Sequence, residues 1–149
     1  MRAVVQRVIR AAVTVDRRTV GRIEAGVLVL LGVAAEDKER DAQTMAEKLA
    51  NLRIFSDPAG LMNLSIKDTG GAILLVSQFT LHGDARKGRR PSFITAARED
   101  IARPLYELTG RLLERDGLAV EYGEFGADMA VELLNDGPVT ILLDTQKVF

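Results

Sequence analysis

Cysteine is absent from this chain, and histidine occurs once, at His82. The first absence removes disulfides, thiolate metal ligation and a cysteine nucleophile together. The second would leave a catalytic zinc site built mostly from carboxylates, an unusual donor set for that metal, and neither a metal nor a cofactor is expected. An excess of one charge is also missing. Twenty Lys and Arg stand against 21 Asp and Glu, a formal net charge of −1, so any contact with nucleic acid has to be local. There is no long hydrophobic run: the longest, Val27 to Leu31, falls far short of the ~20 residues of a membrane span. The opening Met1-Arg2-Ala3-Val4-Val5-Gln6-Arg7 lacks the apolar core of a signal peptide. These features predict a cytoplasmic protein with no membrane partner. With no linker, internal repeat or low-complexity tract either, 149 residues at 47% hydrophobic predict a single domain over residues 1–149.

The apolar segments that are present read as strands and two amphipathic helices. Ala3 to Ile9, Ala12 to Asp16, Thr19 to Ile23 and Val27 to Val33 are β-branched or apolar runs separated by polar or glycine-containing breaks, the pattern of a strand meander. From Asp41 to Leu52, Met45, Leu49 and Leu52 recur at helical spacing, with Asp37 and Asp41 as candidate N-caps. Turn chemistry at Ser56-Asp57-Pro58-Ala59-Gly60 and Thr69-Gly70-Gly71 brackets a loop or short strand around Met62-Asn63-Leu64, and a strand over Ala72 to Leu81 follows. Ile101, Leu105, Leu108, Leu112 and Leu113 mark a second helix from Asp100 to Arg115, with Pro104 near its first turn and Gly117 ending it. Leu118 to Tyr122, Met129 to Leu134 and Val139 to Leu143 read as strands. The predicted class is α/β, a single-domain layered fold of mixed β-sheets with two main helices.

Two short stretches carry the chemistry. In Ser77-Gln78-Phe79-Thr80-Leu81, the end of the buried run Ala72 to Val76 presents two hydroxyls, a carboxamide and several backbone N–H groups that need partners, a candidate oxyanion site. In Asn135-Asp136-Gly137-Pro138-Val139-Thr140, a Gly-Pro pair lies between two apolar segments where a turn is expected, and such a pair can be cis at modest cost. Together they point to ester hydrolysis. A Ser-His-Asp arrangement needs His82 beside Ser77 or Thr80 with a carboxylate behind it. In extended chain Thr80, His82 and Asp84 share a face, but side chains standing in a row need not converge on one hydroxyl, and a polar loop histidine is the expectation. The basic stretch Arg86-Lys87-Gly88-Arg89-Arg90 follows directly. It reads either as a solvated loop or as a phosphate-binding patch beside the reactive strand end.

Over nearly its whole length the chain resembles the D-aminoacyl-tRNA deacylases of bacteria and eukaryotes. The resemblance rests on Met1 to Val8, Leu28-Val29-Leu30-Leu31-Gly32-Val33, Asn51-Leu52-Arg53-Ile54-Phe55, Met62-Asn63-Leu64, Arg90-Pro91-Ser92-Phe93 and, most specifically, Ser77 to Leu81 and Asn135 to Thr140. It implies a homodimeric hydrolase that cleaves the ester joining a D-amino acid to tRNA, with glycyl-tRNA mischarged on an alanine tRNA as a further substrate and no DNA partner. It implies that Gly137 and Pro138 form a cis peptide inserted into the active site of the other subunit, where main chain holds the α-amino group and excludes an L side chain. Arg7 would fix that insertion and Met129 would join the substrate-binding residues. Ser77, Gln78, Phe79 and Thr80 would form the catalytic segment, with backbone N–H groups around Phe79 and Thr80 as oxyanion donors and Gln78 positioning substrate. The substrate 2′-hydroxyl would assist attack by water, the rival being Thr80 as nucleophile. Arg86, Lys87, Arg89 and Arg90 would contact tRNA. A cousin, the editing domain of archaeal threonyl-tRNA synthetases, removes L-serine; the Gly-Pro pair and the absence of a synthetase body favour the D-specific type. The alternatives are a non-catalytic homo-oligomeric small-molecule-binding protein, which would show no turnover, and a conventional serine hydrolase, which a serine-reactive phosphonate would label.

Overall fold

The computed structural model describes residues 1–149. Its centre is one long strand, β1 (Arg2–Val15), which pairs antiparallel along its whole length with the last strand, β8 (Ala130–Asp144). On its other edge β1 pairs first with β3 (Gly26–Gly32), through Arg2 to Val8, and then with β2 (Arg18–Ile23), through Ala11 to Val15. Beyond β3 lie β6 (Ala72–Ser77) and β7 (Ala119–Tyr122), both parallel to their neighbours. Parallel neighbours need long crossovers. Helix α1 (Glu39–Asn51) lies in the first crossover, with the small hairpin β4 (Phe55–Ser56) and β5 (Met62–Leu64) and the one-turn helix α2 (Ile66–Thr69); helix α3 (Glu99–Arg115) forms the second.

Both faces of the β3–β6 sheet are covered, which explains why these strands read as continuous apolar runs. On one face Ala3, Val5, Val29, Leu31, Ile73 and Leu75 pack against Met45 and Leu49 of α1 and Leu105, Tyr106 and Leu113 of α3. On the other face Leu28, Leu74 and Val76 meet Val8, Ala11, Val13 and Val15 of β1 and Ile23 of β2. One strand can serve both cores because β1 changes parity midway. Ala3 and Val5 are buried, then Val8, then Ala11, Val13 and Val15. The switch coincides with register shifts against β8 between Gln6 and Val8 and between Val8 and Arg10. Bulges bend and twist a strand, and these fold the far half of β1 back over the sheet.

The breaks expected at Arg10 and at residues 135–138 are therefore bulges within continuous strands, and the expected pairs of strands are single ones. Strand β6 ends at Ser77 rather than Leu81, because Phe79–His82 forms a 3₁₀ turn. Neither Asp37 nor Asp41 caps α1. Lys38 holds that position and donates its backbone N–H to the carboxylate of Asp41, the third helical residue, at 3.0 Å, and Asp37 is buried as the partner of the Met1 α-ammonium at 2.8 Å. In α3 the buried face is Ala102, Leu105, Tyr106, Thr109 and Leu113, whereas Ile101 is exposed. Pro104 sits beyond the first turn of the helix. Gly117 follows the end of α3 at φ +86°, the left-handed conformation that closes a helix. No helix is long and apolar enough to cross a membrane.

Candidate active site

The ends of β3 and β6 lie side by side, Leu31 paired with Ser77, and open into a cavity of about 280 Å³. Its roof is α3, through Ala102 and Tyr106, and its far wall is the loop after β7, through Phe125 and Met129. Tyr106 is fixed by its hydroxyl, which donates to the Leu75 carbonyl at 2.8 Å, and burial pushes its phenol well above the ordinary range. Gly123 lets the wall close, since a Cβ there would stand 2.8 Å from the Met129 sulfur.

The floor is the segment after β6. Gln78 N–H still donates to the Leu31 carbonyl at 2.8 Å, and then the chain coils, with Leu81 N–H donating to Gln78 and Gly83 N–H to Thr80. The N–H groups of Phe79 and Thr80 fall at the start of this coil, where no earlier carbonyl is in reach, and no protein acceptor takes either. Gln78 Nε2 donates to Thr80 Oγ1. Phe79 stands 57% exposed at the cavity mouth, edge-on to Phe93 at 5.2 Å. Of the four residues expected to form the catalytic segment, Ser77, Gln78 and Phe79 line the cavity with Met129, while exposed Thr80 lies outside its lining and is joined to it through Gln78.

His82 departs from expectation. It is buried, 4% exposed, with Nε2 unpartnered, and it makes no hydrogen bond to Ser77, Thr80 or a carboxylate. Burial holds its pKa below the ordinary value. Asp84 turns away to Arg86, accepting at 2.9 and 2.7 Å from the guanidinium, which depresses the carboxyl strongly. The coil has broken the shared face of Thr80, His82 and Asp84, and no Ser-His-Asp arrangement forms.

At the other motif, β8 continues straight through residues 135–140, but β1 advances from Gln6 to Val8 while β8 retreats from Thr140 to Asn135. Asp136, Gly137 and Pro138 are consequently thrown out as an exposed loop, and the Gly137-Pro138 peptide is cis. Asn135 ties the base of the loop, its Oδ1 accepting Val139 N–H at 2.8 Å and its Nδ2 donating to Thr140 Oγ1 at 3.2 Å. Arg7 holds the flank: Nε donates to the Asp136 carbonyl at 3.1 Å and lies 3.2 Å from its carboxylate, while Nη1 donates to the Ile54 carbonyl. Arg7 is thus joined to the Gly-Pro loop within one chain. The loop is far from its own cavity. Ser77 lies in the row of Leu31 and Ala3, and Arg7 in the row of Val27. Four residues along the strands and three strands across are roughly 13 Å and 14 Å at standard spacings.

The basic stretch forms an exposed loop closed by the paired residues Asp84 and Ser92. Arg86 is committed to Asp84, whereas Lys87, Arg89 and Arg90 enter no ion pair. Asn135, Tyr106, Phe125 and the exposed rim residue Asp128 were not assigned roles from sequence. Only Asn135 had a local signal, as an Asx residue four positions before the N–H it caps.

Residues 4–144 match the D-Tyr-tRNA(Tyr) deacylase family. A D-aminoacyl-tRNA deacylase of Thermosipho africanus is 58% identical over 149 residues, covering 100% of both chains. Among solved structures, a c-Myc DNA unwinding element binding protein superposes with a TM-score of 0.92 at 41% identity, covering 97% of this chain and 99% of that one. A eukaryotic candidate D-amino acid tRNA deacylase shares the fold, with a TM-score of 0.81 at 20% identity over 95% of this chain and 97% of the other. A cavity with free main-chain donors, the Ser77 to Leu81 and Asn135 to Thr140 motifs in place, and a family match spanning nearly the whole sequence lead to one conclusion: the chain belongs to the D-aminoacyl-tRNA deacylase family of hydrolases.

Proposed function

We propose that this chain hydrolyses the ester of D-aminoacyl-tRNA as a homodimer, each cavity being completed by the Gly137-Pro138 loop of a second copy. One observation carries this reading: the loop that the motif builds is braced by Arg7 and Asn135, exposed, and out of reach of its own cavity. Main-chain carbonyls of Gly137 and Pro138, brought to a neighbouring cavity, can take the α-ammonium of the substrate and crowd the position of an L side chain. The filter then ignores which D side chain is present, and glycyl-tRNA passes because glycine has nothing to exclude.

At the floor, the unpaired N–H groups of Phe79 and Thr80 supply the oxyanion site, where one aimed donor contributes roughly 3 to 4 kcal/mol to the transition state. Gln78 and Ser77 position the ester, and Met129 and Phe125 wall in the terminal nucleoside. The 2′-hydroxyl of that nucleoside activates the attacking water. Purified protein mixed with D-tyrosyl-tRNA and with L-tyrosyl-tRNA tests this directly. D-selective ester loss at catalytic protein concentration is expected; stoichiometric binding without release would favour the small-molecule-binding alternative.

Lys87, Arg89 and Arg90 meet tRNA phosphates beside the cavity mouth. Each phosphate contact removed should lower the slope of log affinity against log salt by about 1. Lys87→Ala with Arg89→Ala is therefore expected to flatten the slope by about 2 and leave the single-turnover rate at saturation unchanged. Arg86→Ala should change it least, because Arg86 is engaged by Asp84. An unaltered slope in the double variant would put the tRNA on another surface.

A further inference from the structure

The Phe79–His82 turn rests on a seat that the proposed chemistry does not use. Gly32, the last residue of β3, lies directly beneath it. A Cβ there would stand 2.8 Å from the Gln78 carbonyl oxygen, 3.1 Å from His82 Cδ2 and 3.2 Å from Leu81 Cβ. The missing side chain lets the turn settle on the strand end with the His82 ring packed against it. Two further contacts hold the turn from outside: Arg2 Nη1 donates to the Leu81 carbonyl at 3.1 Å, and the Thr95 hydroxyl donates to the His82 carbonyl at 3.3 Å.

The surroundings of the ring favour its uncharged form. Burial lowers the pKa of His82, and Arg2 from β1 and the Met1 α-ammonium lower it further, against the Gly32 carbonyl and Asp37. Asp37 has little capacity left, since its two oxygens accept the Met1 ammonium at 2.8 Å and the Ala34 N–H at 2.6 Å. Asp84 and Arg86, which line the cleft on the outer side of His82, are bonded to each other. A proton on His82 would thus be a buried cation beside Arg2, itself a tie of the turn, with no carboxylate free to receive it.

We propose that His82, seated on Gly32, is a positioning residue for deacylation: its neutral ring keeps the Phe79 and Thr80 N–H groups aimed into the cavity, and its protonation releases them. The inference rests on the reading of those N–H groups as the oxyanion donors. The sign follows from linkage. A histidine whose folded pKa is depressed stabilises the seated turn above its ordinary value of about 6.5, and that contribution is lost as pH falls below it.

His82 is the sole histidine, so its ring carbon and proton signals are unambiguous in an NMR titration of the intact protein. Its midpoint is expected below the ordinary value, with the Phe79 and Thr80 amide signals moving along the same curve. Single-turnover hydrolysis of D-tyrosyl-tRNA should show an acid limb in rate, not in half-saturation. One pH unit below the His82 midpoint, the wild-type rate should lie about tenfold further down than that of His82→Gln. Identical acid limbs in the two proteins, a midpoint at or above the ordinary value, or amide signals indifferent to the titration would each overturn the proposal. Gly32→Ala separates the two levels of the argument. It should push the turn off the strand end and lower the rate; a folded Gly32→Ala protein at full rate would overturn the donor assignment itself. A slow Gly32→Ala with identical acid limbs would overturn only the role of His82.

Discussion

Alanine at position 137 should lower D-aminoacyl-tRNA deacylation by roughly 10- to 100-fold and narrow the preference for D over L substrate, while each chain keeps its fold. Gly137 sits at φ +138°, where an L side chain is strained. An added Cβ would also stand 2.7 Å from Val139 Cγ2, 2.9 Å from Val139 N and 3.3 Å from Arg7 Nη2. Those neighbours are the two fastenings of the loop, because Val139 N–H is held by Asn135 and the Arg7 guanidinium by Asp136. The loop must therefore shift. Strain of this kind costs about 1 to 3 kcal/mol, and each 1.36 kcal/mol lost from the transition state is tenfold in rate. Gly60→Ala is the matched control. It too has positive φ, at +82°, but nothing lies within 4 Å of its Cβ, so it should cost some stability and no activity. Single-turnover rates with D- and L-tyrosyl-tRNA, alongside the dimer population in solution, provide the measurement. Full activity and selectivity in a folded, dimeric Gly137→Ala protein would remove the loop from the site.

The elements that the sequence made legible are those whose patterns are local. The α1 stripe of Met45 and Leu49, the α3 stripe of Leu105 and Leu113 and the helix stop at Gly117 each follow from residues within a few positions of one another. What was hidden depends on partners distant in the chain. A bulge and a turn both interrupt alternation, so Arg10 in β1 and Asp136 to Pro138 in β8 looked like strand ends, and only the pairing of β1 with β8 distinguishes the two. Phe79 and Leu81 prolong the apolar run of β6, which concealed the coil that frees two N–H groups. The burial of His82 was equally invisible, since it is set by the missing side chain of Gly32, fifty positions away. The motif residues themselves were readable, whereas the distance between residues 77–80 and 136–138 within one chain is set by pairings of strands remote in sequence.

Removing the 2′-hydroxyl of the terminal ribose should slow hydrolysis far more than removing the hydroxyl of Thr80. The cavity offers no side chain suited to activating water or threonine. Tyr106 is buried, already donates to Leu75 and has its phenol pushed further from ionisation. His82 lies under the turn with no bond to Thr80, and the acid at the cavity, Asp128, is an exposed rim residue with no hydrogen bond to Ser77, Gln78 or Thr80. If the substrate's own hydroxyl moves the proton, its loss forfeits the ~10²- to 10⁴-fold that general acid–base assistance supplies. Thr80→Ala removes a side chain whose oxygen accepts from Gln78, while the main-chain N–H at that position stays. A single hydrogen bond is worth about 1 kcal/mol, so a several-fold loss is expected, and Asp128→Asn should cost no more than that. Each outcome separates the mechanisms. Total loss in a folded Thr80→Ala protein that still binds substrate would support a covalent threonine, whereas equal rates on ribose and 2′-deoxyribose termini, with Asp128→Asn inactive, would make the carboxylate the base.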